Sequence, residues 1–145
     1  MNRNRRRGKK LSRALVTAAM LGDAGTARRL LRRGASPELP DAHGTTPLYA
    51  ASVQGAADVV ALLLAAGARP DTESGHGDEG TPLCAAACWG HAGTVRLLLA
   101  HGADPVLRED HGTGRAPLDW AERGPHPETA LLLAAAVSSR PAAAP

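Results

Sequence analysis

The pattern of hydrophobic and polar residues over 81–102, TPLCAAACWGHAGTVRLLLAHG, predicts two short helices joined by a glycine. Thr81 can cap the first free amides of a helix through its hydroxyl group, and Pro82 suits the first turn because its missing N–H would be unpaired there anyway. Gly90 and Gly102 each follow an apolar segment, and glycine favours the left-handed conformation that often ends a helix. The stretch is therefore predicted to be a helix pair.

Three further copies of this pattern occur along the chain. They are TPLYAASVQGAADVVALLLAAG over 46–67, RALVTAAMLGDAGTARRLLRRG over 13–34 and APLDWAERGPHPETALLLAAA over 116–136. The mid-repeat glycines are Gly22, Gly55, Gly90 and Gly124, and by this register the last copy is one residue short in its first helix. A repeat of about 34 residues indicates a stacked array in which each helix pair buries its apolar face on its neighbours.

The repeated strings resemble the ankyrin repeat. TPLYAASVQG and TPLCAAACWGH, followed by VVALLLAAGA and VRLLLAHGAD, are similar to the family pattern DxxGxTPLHxAAxxGH and then VxxLLxxGA. The resemblance implies an all-α solenoid of antiparallel helix pairs with projecting β-turn or hairpin loops, divided into repeats over 12–40, 41–73, 74–108 and 109–137. It also implies a monomeric, non-catalytic module that binds another protein in its concave groove and needs no cofactor.

Charge is distributed unevenly between the two ends of the chain. Residues 1–33 contain eleven basic residues and one acidic residue, whereas the rest contains six basic and thirteen acidic residues. Residues 1–11 are predicted to form a disordered basic tail, because they offer too few apolar groups to offset the entropy of ordering. Residues 138–145 are predicted to form a second disordered tail.

The basic tail permits a second functional hypothesis, in which it binds nucleic acid or another polyanion. Clustered cations gain free energy by displacing counterions from phosphates, although no aromatic residue is present for base stacking. Solubility alone is the simpler alternative. The candidate polyanion-binding residues are Arg3, Arg5, Arg6, Arg7, Lys9 and Lys10.

Localisation is predicted to be cytoplasmic. Basic residues followed by the apolar run at 14–21 imitate a secretory signal, but the run is at the short limit and fits the first repeat helix. No segment reaches the ~18 apolar residues that a membrane span requires. Cys84 and Cys88, one helical turn apart, are poorly aimed for a disulfide, which fits a reducing compartment.

Candidate catalytic or metal-binding chemistry is sparse. Cys84, Cys88 and His91 are spaced as three ligands on one helix side, but Gly90 would end that helix before His91 and no fourth ligand is evident. No phosphate-binding loop or activated nucleophile is apparent either. The sequence therefore favours a protein without a metal site and without enzymatic activity.

The resemblance places the partner-binding residues at the ends of the first helices and in the loops before the Thr-Pro pairs. Trp89 is the expected binding anchor, because an indole offers a large contact area with little rotamer freedom to lose. The alternative is that Trp89 packs against Trp120 as a core residue. The full predicted set is Met20, Leu21, Ala42, His43, Thr45, Val53, Gln54, Asp78, Glu79, Cys88, Trp89, His111, Thr113, Arg115, Glu122 and Arg123.

One departure from the family pattern affects the loops. The histidine of TPLH, which in the family bonds between adjacent loops, is replaced by Val16, Tyr49, Cys84 and Asp119. That hydrogen-bond network is predicted to be absent or rebuilt, and Asp119 is expected to bond to nearby backbone.

Overall fold

The structure is a computed structural model that describes residues 2–141. Within that range the chain forms helices and no strand. The helices are α1 Asn2–Met20, α2 Ala24–Arg32, α3 Pro47–Gln54, α4 Ala57–Ala65, α5 Pro82–Cys88, α6 Ala92–Ala100, α7 Glu109–Gly112, α8 Pro117–Arg123 and α9 Pro127–Ser138.

The helices stack in two layers. Helix α3 packs between α1 and α5, and α5 packs on α8, so the first helices of the four repeats form one layer. Helices α2, α4, α6 and α9 follow one another in the second layer. Each repeat contributes a fully buried leucine or valine to one continuous core, for example Leu15, Leu63, Leu98 and Leu133. The predicted all-α solenoid of antiparallel helix pairs is thereby confirmed.

The threonine caps and first-turn prolines that the sequence predicts are present at the starts of the helices. The Thr46 and Thr81 hydroxyl oxygens accept from the amides of Tyr49 and Cys84, at 3.3 and 3.2 Å. Pro47, Pro82 and Pro117 each occupy the first turn of their helix. These caps explain why α3 and α5, the first or inner helices of repeats 2 and 3, start where they do.

The register of repeat 4 differs from the prediction. The amide of His126 donates to the carbonyl of Ala121 at 3.0 Å, as the amide of His91 does to Ala86 at 2.9 Å. Pro125 therefore occupies the place of Gly90, while Gly124, with a φ of −83°, occupies the place of Trp89. Helix α8 has the same length as α5, seven residues, and is not one residue short. Because proline cannot adopt a positive φ, this junction lacks the left-handed residue of the other repeats.

The prediction of a disordered basic tail over residues 1–11 is wrong for the residues that the structure describes. Helix α1 begins at Asn2 and runs without interruption into the packed helix of repeat 1. Arginine and lysine are good helix formers, and Leu11 and Leu15 anchor a helix that extends outward from its packed half without a new nucleation event. Residues 2–10 are almost entirely exposed, so helix propensity rather than burial holds them.

The C-terminal boundary also shifts slightly. Helix α9 continues through Ser138, where the second tail was predicted to begin, and Pro127 occupies its first turn. Residues 142–145 of that predicted tail, and Met1 of the first one, lie outside the described residues.

Acidic side chains rebuild the loop network that the missing histidines would have made. The Glu38 carboxylate accepts from the amide of Arg69 at 2.5 Å, and Asp71 accepts from the amide of Asp104 at 3.0 Å. Glu73 accepts from the amides of Asp110 and His111 at 2.7 and 3.3 Å, where both residues have a positive φ. Each carboxylate thus ties one projecting loop to the next.

Asp119, at the fourth histidine position, acts locally as predicted. Its Oδ2 atom accepts from the backbone amide of Ala116 at 3.0 Å, at the start of α8. The side chain therefore supports its own helix start, and the same Oδ2 atom also lies 3.9 Å from Arg108 Nη1 in the preceding loop.

Candidate partner-binding groove

A cleft of about 190 Å³ lies where α5 and α8 meet the two longer loops. We call it the indole cleft. Trp89 stands at its edge with 61% of the side chain exposed, so the alternative that Trp89 is a core residue does not hold. The lining residues are Tyr49, Asp78, Glu79, Gly80, Cys84, Ala85, Cys88, Trp89, Glu109 and Trp120.

Trp120 is the more deeply held of the two indoles. Its Nε1 atom donates to the Glu109 carboxylate at 2.8 Å, and the Arg115 guanidinium lies 5.0 Å from its ring centroid. That distance is within cation–π range. Both contacts fix the Trp120 ring on the wall of the cleft, while Trp89 remains available to another molecule.

Glu109 is a partly buried carboxylate whose pKa is raised. Partial burial raises its pKa above the ordinary value, and the hydrogen bond from Trp120 opposes that rise only in part. Within residues 2–141, none of Asp78, Glu79 and Glu109 forms an ion pair. The cleft therefore presents three carboxylates that form no ion pair among these residues, and the Arg115 guanidinium lies close by, over the Trp120 ring.

The Glu79 carboxylate is oriented by two hydroxyl groups, one of which comes from the preceding repeat. The hydroxyl of Thr45 donates to Glu79 Oε1 at 2.6 Å, and the hydroxyl of Ser74 donates to Oε2 at 2.5 Å. Ser74 Oγ also accepts from the amide of Thr46 at 2.9 Å, which links the group to the start of α3. A carboxylate fixed by two hydroxyl groups loses little further entropy when it meets a ligand.

The thiols and the phenol of the cleft hold their protons. Burial raises the pKa of Cys84 and of Tyr49 to about 12 each, and burial also raises the pKa of Cys88. The nucleophile and metal ligand is the thiolate, which is scarce here at neutral pH. The arrangement suits contact with an apolar surface better than bond-forming chemistry.

The predicted partner-binding residues are divided between the indole cleft and other parts of the surface. Asp78, Glu79, Cys88 and Trp89 line the indole cleft, and Thr45 supports it through Glu79. Ala42 lines a separate cleft beside α1. His111 lines a third cleft together with Glu73, and its Nδ1 atom lies 3.7 Å from Glu73 Oε2. The others do not line the cleft, and they are exposed except for half-buried Val53: Met20, Leu21, His43, Val53, Gln54, Thr113, Arg115, Glu122 and Arg123.

Six residues that line the cleft were not among the predicted partner-binding residues: Tyr49, Gly80, Cys84, Ala85, Glu109 and Trp120. Tyr49 and Cys84 were noted for other reasons, and Glu109 was not noted at all. No local pattern marks Glu109, because its meeting with Trp120 depends on how a loop folds back onto α8. The Tyr49 and Cys84 positions follow directly from the Thr-Pro register and could have been inferred from it.

Two histidines, also missed as structural ties, connect the helix ends along the groove. His91 Nε2 lies 3.0 Å from the carbonyl oxygen of Val53, and His126 Nε2 lies 3.0 Å from that of Cys88. Each histidine caps the last turn of the preceding repeat's inner helix. The positions of Cys88 and Trp89 are thus fixed by repeat 4 as well as by repeat 3.

Among residues 2–141, no group of three or more His, Cys, Asp and Glu side chains is placed to hold a metal ion. None of the helices in this range combines the length and apolar character needed to cross a membrane.

Comparison with known proteins agrees with the fold. A family model described as ankyrin repeats (3 copies) matches residues 2–74, and one described as ankyrin repeat matches residues 78–110. The chain belongs to the ankyrin repeat family. Ankyrin repeats are generally protein–protein interaction modules and are typically non-catalytic. No curated protein sequence gives a significant match.

Proposed function

We propose that this protein is a non-catalytic cytoplasmic module that binds one segment of a partner protein in the indole cleft. Trp89 is the anchor of the contact, and the rest of the predicted groove residues form its surroundings. The observation that carries this proposal is the 61% exposure of Trp89 beside a cleft that the chain's own side chains leave open. Exposed indoles on rigid supports are typical binding hot spots.

The electrostatics of the cleft favour a partner segment with both apolar and basic groups. Trp89, Ala85 and Cys88 offer an apolar surface, while Asp78, Glu79 and Glu109 offer negative charge that no ion pair among residues 2–141 neutralises. An arginine or lysine of the partner would favour the charged form of Glu109, whose pKa is raised by partial burial. Because Glu79 and Trp120 are already fixed by hydrogen bonds, the cleft is largely preorganised for such a segment.

The test is affinity capture from the protein's own cell extract with the wild-type chain and with Trp89→Ala. Truncation of a hot-spot indole is expected to weaken partner binding by about 2 kcal/mol or more, or roughly 30-fold. Leu131→Ala is the matched control, because Leu131 is 73% exposed but lies on α9 in the other helix layer. Circular dichroism of all three proteins checks that the fold is intact.

A supporting result is a protein that binds the wild-type chain and Leu131→Ala equally and is lost from Trp89→Ala. Equal retention by all three chains would contradict the role of Trp89. A partner lost from Trp89→Ala only because that variant unfolds would also contradict it, since the exposed side chain would then be a folding determinant.

A further inference from the structure

The outer half of helix α1 is a rigid, exposed row of cations. We call residues 2–13 the basic helix; its charged members are Arg3, Arg5, Arg6, Arg7, Lys9, Lys10 and Arg13, and all are exposed. Within residues 2–141, none of these cations forms an ion pair. The basic helix leads into repeat 1 and contributes no residue to the indole cleft.

The cations occupy two flanks of the basic helix. On the α2 side, Arg6, Arg7 and Lys10 share a cleft with Arg33, the C-cap residue of α2. On the opposite side, Lys9 and Arg13 share another cleft with the loop residues 39–42. At 3.6 residues per turn, the charged side chains cover an arc of about 200° around the helix axis. The charge therefore surrounds more than half of the helix instead of marking one face.

This arrangement destabilises the isolated helix. Arg5 and Lys9, Arg6 and Lys10, and Lys9 and Arg13 are like-charged pairs at i and i+4, which disfavour a helix. The first turn holds no acidic residue, so the cations also oppose the positive end of the helix dipole. A polyanion that contacts both flanks would remove both penalties.

We infer that the basic helix binds duplex DNA by lying in the major groove, with its two flanks contacting phosphates of the two strands. The groove is about 12 Å wide and admits an α-helix with its side chains, which is about 10–12 Å across. A flat anionic surface or an extended acidic peptide would meet only one flank of the helix. The wide arc of charge is what distinguishes the groove of a duplex as the occupant.

The nature of the contacts limits what the site recognises. Phosphate contacts position a protein on DNA but carry no sequence information, so the binding is expected to be largely independent of sequence. The major groove of duplex RNA is deep and narrow and does not admit such a helix. Duplex DNA should therefore bind at least about tenfold more tightly than duplex RNA of the same length, beyond what charge alone would give.

The experiment measures the fluorescence anisotropy of a labelled 20-base-pair DNA duplex with the full chain at several salt concentrations. About six phosphate contacts predict a slope near −5 in a plot of log affinity against log salt. Two triple variants test the flanks: Arg5→Gln, Lys9→Gln, Arg13→Gln, and Arg6→Gln, Arg7→Gln, Lys10→Gln. Each should reduce the magnitude of the slope by about 2 to 3.

The control variant removes the same number of charges elsewhere. Arg69→Gln, Arg96→Gln, Arg123→Gln lowers the net charge equally at exposed positions outside repeat 1 and should leave the slope unchanged. Trp89→Ala should also leave DNA binding unchanged, so the DNA site and the indole cleft can fail independently. Circular dichroism of each variant confirms that the repeat domain remains folded.

Several results would overturn the inference. These are equal affinity for duplex RNA and DNA, loss of binding in only one flank variant, or an equal loss in the control variant. Binding of poly-glutamate or of phosphatidylserine vesicles as tightly as the DNA duplex would show that the helix accepts a single anionic face. No measurable binding of the duplex at 50 mM salt would also overturn it.

Discussion

The two ends of this solenoid are built from copies of the same helix pair, but they present opposite kinds of surface. At the indole cleft, Glu79 and Glu109 are held by hydrogen bonds from Thr45, Ser74 and Trp120. At the basic helix, the cations are exposed and have no carboxylate partner within residues 2–141. A preorganised cleft favours a specific contact, whereas free surface charge acts at longer range and falls with salt.

The mid-repeat glycines show the same contrast in the backbone. Gly22 in repeat 1 and Gly90 in repeat 3 both have a left-handed conformation, with φ values of 66° and 72°. A Cβ atom at Gly22 would meet the Cβ atom of Ala56 at 3.6 Å and the Cγ atom of Gln54 at 4.0 Å, both ordinary contacts. A Cβ atom at Gly90 would collide with the imidazole ring of His126. The groove end is therefore more tightly interlocked between repeats.

The largest expected effect separates these two glycines. Gly22→Ala should cost about 1–2 kcal/mol of unfolding free energy, because alanine is strained in the left-handed conformation. Gly90→Ala should cost about 1 kcal/mol more, because it also displaces His126 from the Cys88 carbonyl group. Urea unfolding of both variants measures the difference, and equal costs would show that the histidine bond contributes little to stability.

An intermediate effect tests the basic helix itself. Gly8→Ala should stabilise the helical form of residues 2–10 by about 0.5–1 kcal/mol, since glycine is a poor helix residue and a Cβ atom there meets nothing within 4 Å. Helical circular dichroism should rise accordingly. Gly93→Ala in α6 is the matched control, because that helical glycine has equally open space in a packed repeat. If only the control variant gained helical circular dichroism, the result would support the original prediction that the basic segment is disordered.

The smallest effect concerns the pH dependence of the cleft. The raised pKa of Glu109 means that the folded protein binds its proton more tightly than the unfolded chain, so this group's contribution to stability is lost as pH rises through the raised pKa. Glu109→Gln keeps an acceptor for Trp120 and removes that titration. As pH rises from 4.5 to 7, wild-type stability should therefore fall relative to the variant, by less than about 1 kcal/mol because the group is only partly buried. Parallel thermal unfolding curves across this range would contradict the assignment.

The repeat architecture was predictable because its signals are local. Thr46 and Thr81 cap helices within three residues of themselves, and the adjacent prolines start those helices. The exposure of Trp89 was one of two alternatives that its place at the end of the first helix of repeat 3 left open. The register of repeat 4 was misjudged because Gly124 was aligned with the other glycines, whereas the invariant spacing was that of the prolines.

The sequence by itself determined the helix pairs, their period, the shared core and the opposite charges of the two ends, since each depends on residues close together in the chain. Only the tertiary structure decided that Glu109 meets Trp120 and shares a cleft with Tyr49, that His126 bonds to Cys88, and that the basic segment continues the first helix. Tyr49 and Glu109, like Cys88 and His126, come from different repeats, and their relative positions depend on how one repeat is rotated onto the next. That rotation is a property of packed surfaces and leaves no local pattern in the chain.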